Sequence, residues 1–364
     1  MDKVKVNLKI SEDKSYEIFI GEGVLERVAR QAAEARLGHK FAIITDSNVE
    51  SLYAGELLER FERAGIDISL ISFPAGEMHK NRDTKAWIED RMLEKGFGRD
   101  SAVIALGGGV VGDMAGYVAA TYTRGIPYVQ VPTSLVACVD SSIGGKTAVD
   151  TTHGKNLIGA FHQPWRVYID LDTLLTLPEK EIREGLAEVI KYGVIEDRDL
   201  FVFLESDMDR VFSYDKEALG RIIRRSCEIK AVVVERDERE SNLRKILNFG
   251  HTIGHAIENL SHYAISHGEA ISIGMVAEGK LAVNMGLWGE GDLRRLAAVI
   301  RKAGLPAELP EGMEIGRIIN TMRLDKKSRG GHIEMALPGG LGRMAQIEGN
   351  YGIRIEDSAI RDLV

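Results

Sequence analysis

The sequence predicts a Rossmann-like α/β domain followed by a mostly α-helical domain, and three observations carry that expectation. Through the N-terminal half, short β-type runs alternate with amphipathic stretches. A glycine-rich turn directly follows one of the apolar runs. After about Leu175 the texture changes to long helical patterns. Strand and helix in alternation imply a parallel sheet covered on both faces.

The strand candidates are VKVNLKI (4–10), YEIFIG (16–21), FAIITD (41–46), ISLISF (68–73), AVIALGGG (102–109) and YVQVPTS (128–134). Between them, Leu25–Leu37 and Val49–Ala64 space their apolar residues at helical intervals. Helices are then expected over Glu179–Ile195, Lys216–Arg236, Phe249–Leu260, His267–Met285 and Asp292–Ala303, with a hairpin in IEMALPGGLGRMAQI (333–347). The implied division is 1–175 for the nucleotide-type domain and 176–364 for the helical one, the boundary falling within 172–178. No internal repeat or low-complexity stretch is visible.

Bulk properties narrow the function classes. The chain has 364 residues, long enough for two ordinary domains. With 44% hydrophobic and 28% charged residues it reads as an ordinary soluble protein. No run approaches the roughly 18 apolar residues of a membrane span, and the first twenty residues hold no signal-type apolar block. A net charge of −8 disfavours a nucleic-acid partner. Two distant cysteines, Cys138 and Cys227, suit a reducing cytoplasm and no disulfide framework. Any basic site must be local.

Three local patterns carry chemistry. In SAVIALGGGVVGDMAG (101–116), Gly107, Gly109 and Gly112 fit GxGxxG after an apolar strand. Missing Cβ atoms there let backbone N–H groups approach a pyrophosphate at a helix N-terminus. The usual acidic residue about 20 positions on is missing, so a cofactor loop and a packing turn both remain open. Asp113, just after the turn, reads as a helix cap or a partner for a sugar hydroxyl.

The second pattern runs from Arg124 to Asn156, where Arg124, Lys146 and Lys155 each adjoin glycine. Glycine-flanked cations suit convergence of backbone and ammonium on an anion, against the plainer reading of an exposed loop. In the third, four of the nine histidines fall within 251–267, in HTIGHAIENLSHYAISH. His251 and His255 share a helical face, but Thr252 stands where a zincin carries its general base, which disfavours a protease. A third ligand could come from His267 or from Glu188, which lines one helical face with Glu184 and Lys191. A surface salt bridge is the plain alternative for Glu188. Spacing alone does not decide which histidines bind metal; mixed N/O ligation would suit Zn²⁺ in a Lewis-acid role.

Six separated motifs, together with LDKK (324–327), resemble the 3-dehydroquinate synthases in order and spacing, over essentially the whole chain. They are GGGVVGDMAGYVAATYTRGI, QVPTSLVACVDSSIGGKTAVD, GKNLIGAFHQP, GLAEVIKYG, LNFGHTIGHAIE and HGEAISIGM. The resemblance implies NAD and Zn²⁺ or Co²⁺ as cofactors, a homodimer, and the substrate 3-deoxy-D-arabino-heptulosonate 7-phosphate. It implies oxidation at C5, phosphate elimination, reduction, ring opening and aldol closure to 3-dehydroquinate. Metal ligands would be Glu188, His251 and His267. Glu240 and His255 would transfer protons, with Lys146 and Lys191 beside them. Cofactor positions are Asp46, Asn48, Glu77, Lys80, Gly108, Gly109, Val110, Asp113, Thr133, Ser134, Lys155, Thr173, Leu174, Leu175 and Thr176. Substrate positions are Arg124, Asp140, Lys146, Asn156, Lys191, Lys230, Arg244, Asn248, His255, His267 and Lys326, the last chosen over Lys327. Ser134 keeps a hydroxyl where many members carry threonine, and Glu184 is given no role. Rival readings are a sister sugar phosphate cyclase making an inosose or valiolone, and a metal-dependent polyol dehydrogenase.

Overall fold

The computed structural model describes residues 12–326 and 332–363. The chain opens with β1 (Glu17–Gly21), α1 (Leu25–Glu34) and β2 (Lys40–Asp46). A short α2 (Ser47–Val49) passes through a π-type turn into α3 (Gly55–Arg63). Next come β3 (Asp67–Phe73), α4 (Arg82–Glu94), β4 (Ser101–Gly107), α5 (Gly109–Thr121) and β5 (Tyr128–Pro132). A hairpin of β6 (Lys146–Thr151) and β7 (Gly154–Phe161) precedes β8 (Arg166–Asp170). Six strands form one parallel sheet in the order β1-β8-β5-β4-β2-β3. β4 is buried along its whole length, as an apolar run at the centre of a doubly covered sheet must be.

The sheet has an apolar layer on each face. One gathers Val28, Phe41, Phe61, Ile104 and Tyr168; the other gathers Ile44, Phe73, Val103, Met114 and Val118. A third core belongs to the helical part, yet it includes Val167 and Ile169 of β8 and Leu135 and Val139 from the loop after β5. The helices therefore pack directly on the sheet, against β8 and the loop after β5.

That helical part begins with α6 (Glu179–Ile195), α7 (Arg198–Phe212) and α8 (Lys216–Arg236). It continues through α9 (His251–Leu260), α10 (His267–Asn284), α11 (Glu290–Lys302) and α12 (Ile315–Lys326). The C-terminal segment holds β9 (Ile333–Met335), β10 (Pro338–Gly340), β11 (Arg343–Met344), β12 (Ile353–Ile355) and α13 (Asp357–Arg361). Among the described residues no helix is long and apolar enough to cross a membrane.

The structure corrects some sequence expectations. The 333–347 segment is not one hairpin. Only β10 and β11 fold back on each other, whereas β9 pairs antiparallel with β12. Ile333, Met335, Ile353 and Ile355 are all buried, and that shared burial favours the longer-range pairing. β8 and α7 were not anticipated. The strand expected at 4–10 lies outside the described residues.

Candidate active site

Five loops at the carboxyl ends of the parallel strands hold most of the cofactor positions. Asp46 and Asn48 follow β2, Glu77 and Lys80 follow β3, and Gly108–Asp113 follow β4. Thr133 and Ser134 follow β5, and Thr173–Thr176 form the turn after β8. Chain order reverses between β2 and β4, so the glycine turn sits at the switch point where open α/β sheets bind ligands. Gly108 is the N-cap of α5, and among the described residues no side-chain hydrogen bond caps the helix there. A Cβ on Gly108 would stand 3.3 Å from Ser134 Oγ, and one on Gly109 would stand 3.2 Å from Ser141 Oγ. This bare backbone cradle fits a pyrophosphate. Gly112 does a different job: a Cβ there would lie 2.9 Å from Gln130 Oε1, so its absence lets α5 pack against β5.

Asp113 does not cap α5, contrary to one sequence reading. It lies within the helix and pairs with the buried Lys80 at 2.6 Å. Burial raises the Asp113 carboxyl and outweighs the Lys80 ammonium. Lys80 also donates to Asn156 Oδ1 at 2.6 Å, tying the β3 loop to β7. Asp46 spends Oδ1 on the N–H groups of Asn48 and Val49, and so shapes its own loop. Tyr53 donates to Thr173 O at 2.9 Å, joining that loop's helix to the turn after β8.

Opposite these loops stand α6, α9 and α10. The Nε2 atoms of His251 and His267 face Glu188 Oε1 at 3.4 and 3.2 Å. One carboxylate and two imidazoles, with ligand atoms all within 4.8 Å of one another, fit a divalent cation with a position left for substrate oxygen. His251 Nδ1 donates to Phe249 O at 3.1 Å, and His267 Nδ1 lies 3.3 Å from Glu258 Oε2. Glu188 also pairs with Lys191, but both are buried, so this is no surface salt bridge. Burial would raise the Glu188 carboxyl; Lys191 and His251 pull it well below its usual range instead. Burial opposes charge on His267, yet Glu188 and Glu258 lift it to about 10. The proton thus favoured at Nε2 stands where a cation would bind.

His255 opens onto the cleft. The protein packed around it, then the neighbouring His251 and His267, hold it below the ordinary histidine range.

Each of the two facing histidines is the first residue of a helix, and each helix start rests on a buried carboxylate from another helix. Glu278 of α10 accepts from Gly250 N at 2.6 Å and Ile253 N at 3.1 Å, at the head of α9. Glu184 of α6 accepts from Gly268 N at 2.6 Å and from Ser266, at the head of α10. The two helices cross so closely that a Cβ on Gly274 would come within 1.9 Å of Gly250 O. Gly274→Ala is therefore expected to destabilise the fold by about 1–3 kcal/mol, the usual range for overpacking, read as a lowered urea midpoint.

A cationic group adjoins this cluster. Lys230 lies 2.8 Å from Asp140 Oδ1 and Lys191 3.9 Å from the same oxygen, and Tyr192 donates to it at 2.6 Å. Burial would raise Asp140, but Lys230 and Lys191 outweigh it and bring the carboxyl down to about 2. Nearby, Asp237 accepts from the N–H groups of Ser241, Asn242 and Arg244 and so folds the 237–244 loop. That loop presents Glu240, at a left-handed φ of 60°, to Lys146 and Asn248, each 2.5 Å away. Arg244 is buried, donating to Glu238 O at 2.5 Å and to Gly144 O at 3.4 Å.

Two substrate positions do not join the cluster. Arg124 is exposed beyond the far end of α5, roughly 20 Å of helix from the glycine turn. Lys326 ends α12 with its side chain outside the described set, and Lys327 lies outside the described residues. Sequence reasoning missed Glu258, Glu278 and Asp237, and it named Glu184 but gave it no role. Glu258 had a signal, since 251, 255 and 258 share one helical face. The others act through tertiary crossings or a loop turn that spacing does not encode.

Residues 70–184 match the pattern described as 3-dehydroquinate synthase N-terminal, and residues 185–328 the one described as 3-dehydroquinate synthase C-terminal. A 3-dehydroquinate synthase of Synechococcus sp. is 51% identical, covering 91% of both chains. The chain belongs to the 3-dehydroquinate synthase family. Among solved structures, 2-epi-5-epi-valiolone synthase of Streptomyces hygroscopicus, with NAD⁺ and Zn²⁺ bound, superposes with a TM-score of 0.89 at 28% identity over 98% of both chains. A 2-deoxy-scyllo-inosose synthase with carbaglucose-6-phosphate, NAD⁺ and Co²⁺ gives 0.85 at 29% identity over 95% of both. These sister cyclases are far less similar to the chain than the 3-dehydroquinate synthase family members are.

Proposed function

We propose that the chain converts 3-deoxy-D-arabino-heptulosonate 7-phosphate to 3-dehydroquinate and phosphate. The observation that carries this reading is one continuous run of contacts across the cleft. It passes from Lys155 through Glu258, His267, Glu188 and Lys191 to Asp140 and Lys230. The reaction requires a redox cofactor, a metal and a cationic pocket around one small polyol, and this run joins candidates for all three.

A bound NAD⁺ would supply reversible hydride transfer at C5, and a bound divalent metal would supply the Lewis acidity that the C5 hydroxyl needs. Glu188, His251 and His267 would hold the metal, and Zn²⁺ or Co²⁺ suits that donor set. The Gly108–Val110 cradle would hold the pyrophosphate, with the surrounding strand-end loops and Lys155 on the rest of the cofactor. Lys146, Lys191, Lys230 and Arg244 would hold the anionic groups of the substrate, and Asp140, Asn156 and Asn248 would orient its polar groups. Glu240 and His255 would move protons. Arg124 would reach substrate only from a second copy, in the homodimer we propose. The same reading assigns 1–175 to NAD, 176–364 to metal and substrate, and the protein to the cytoplasm.

The test is to incubate the protein with the heptulosonate phosphate, Zn²⁺ and a catalytic amount of NAD⁺. Phosphate should be released over many turnovers while NADH stays below the enzyme concentration, because the hydride returns in each cycle. Stoichiometric NADH would move the chain to the polyol dehydrogenases.

A further inference from the structure

We infer that Glu258, the last residue of LNFGHTIGHAIE and one to which the resemblance assigns no role, is the positioning residue that sets the orientation and tautomer of His267 for metal binding. The inference rests on the reading of Glu188, His251 and His267 as the metal ligands. Glu258 is 3% exposed on α9, yet both its oxygens are engaged. Oε2 faces His267 Nδ1 at 3.3 Å, and Oε1 accepts from Lys155 Nζ at 3.1 Å. Lys155 is itself fixed by Glu77 at 3.5 Å and by the Tyr263 ring at 4.4 Å.

An imidazole can give its Nε2 lone pair to a metal only if its remaining proton sits on Nδ1, and an acceptor opposite Nδ1 selects that tautomer. His251 has such an acceptor in Phe249 O, supplied by its own chain two residues earlier. His267 has Glu258. Both rings then turn Nε2 toward the same Glu188 oxygen. Because Lys155 occupies the other oxygen, the Glu258 carboxylate is pinned with Oε2 toward the ring. A rival geometry exists, since His255, Glu258 and His267 also bring ligand atoms within 4.8 Å of one another. That trio does not include Glu188.

The test measures Zn²⁺ affinity by chelator competition in four proteins: the parent, Glu258→Met, Glu258→Gln and His251→Ala. Glu258→Met should bind Zn²⁺ roughly 10- to 100-fold more weakly, the range for lost outer partners of metal ligands. Glu258→Gln, which keeps an acceptor oxygen, should lose less. At saturating Co²⁺ the visible spectrum of Glu258→Gln should keep the parent's shape, because the ligand set is intact. Parent-like Zn²⁺ affinity in both Glu258 variants, with metal lost in His251→Ala, overturns the inference alone. Metal lost in the Glu258 variants but kept in His251→Ala places the ion in the rival trio and overturns the ligand reading beneath it. If Glu258→Met does not fold, Glu258→Gln carries the same comparison.

Discussion

His251→Ala is expected to abolish tight metal binding and to lower kcat on the order of a thousandfold or more. A metal acting as Lewis acid supplies several kcal/mol of charge stabilisation, and each 1.36 kcal/mol is a factor of ten in rate. His251 Nε2 faces Glu188 directly, so its removal takes one of two nitrogens from the trio. His255→Ala should behave differently. It stands one turn along α9, open to the cleft, and should retain metal while losing rate. Chelation of the parent should mimic His251→Ala, and added Zn²⁺ or Co²⁺ should restore only the parent. Metal analysis that found the ion missing from the His255 variant and present in the His251 variant would reverse the assignment.

Lys146→Met and Arg244→Met should each lose at least about tenfold in kcat/KM, with much smaller changes in NAD⁺ affinity. A charge-assisted hydrogen bond removed from a closed site costs on the order of 1.5–3 kcal/mol, or roughly 10- to 150-fold. In the structure Lys146 is half exposed beside Glu240, free to turn from protein to ligand. Arg244 is buried, so its variant also needs a check on stability; the loss should appear in kcat/KM at a temperature where the fold is intact. Lys155→Met should show the reverse order, with NAD⁺ binding weakened first. Equal loss of NAD⁺ and substrate affinity in all three would mean that these cations form a diffuse field and that the division between cofactor and substrate residues is wrong.

The fold was legible where burial writes a simple pattern. Strands β2, β4 and β5 read as apolar runs because parallel strands are covered on both faces, and α6 and α8 read correctly to the residue because their apolar periodicity is unbroken. β8 was hidden: it is five residues long and begins with Arg166. The β6–β7 hairpin was hidden in a glycine-rich polar segment, since β7 leaves Asn156, Leu157, Gly159 and Phe161 outward. For the site, the sequence offered the histidine cluster and the glycine turn, but spacing alone left the third ligand open between His267 and Glu188. The fold brings both to His251. What it could not encode is the support beneath them, because Glu184 and Glu278 meet α10 and α9 only through helix crossings between distant segments.

Those two buried carboxylates also alter the electrical character of the cleft. A helix start carries roughly half a positive charge, and two of them, at His251 and His267, point into the place proposed for a dication. Left bare, they would repel it. Glu278 and Glu184 each set a carboxyl group against one helix start and accept from its N–H groups, which offsets the positive end of the helix. Across the cleft, among the described residues no carboxylate caps the start of α5, and its positive end remains available to an anion. The same backbone dipole is thus offset on the side proposed for a cation and left without a side-chain cap on the side proposed for a phosphate.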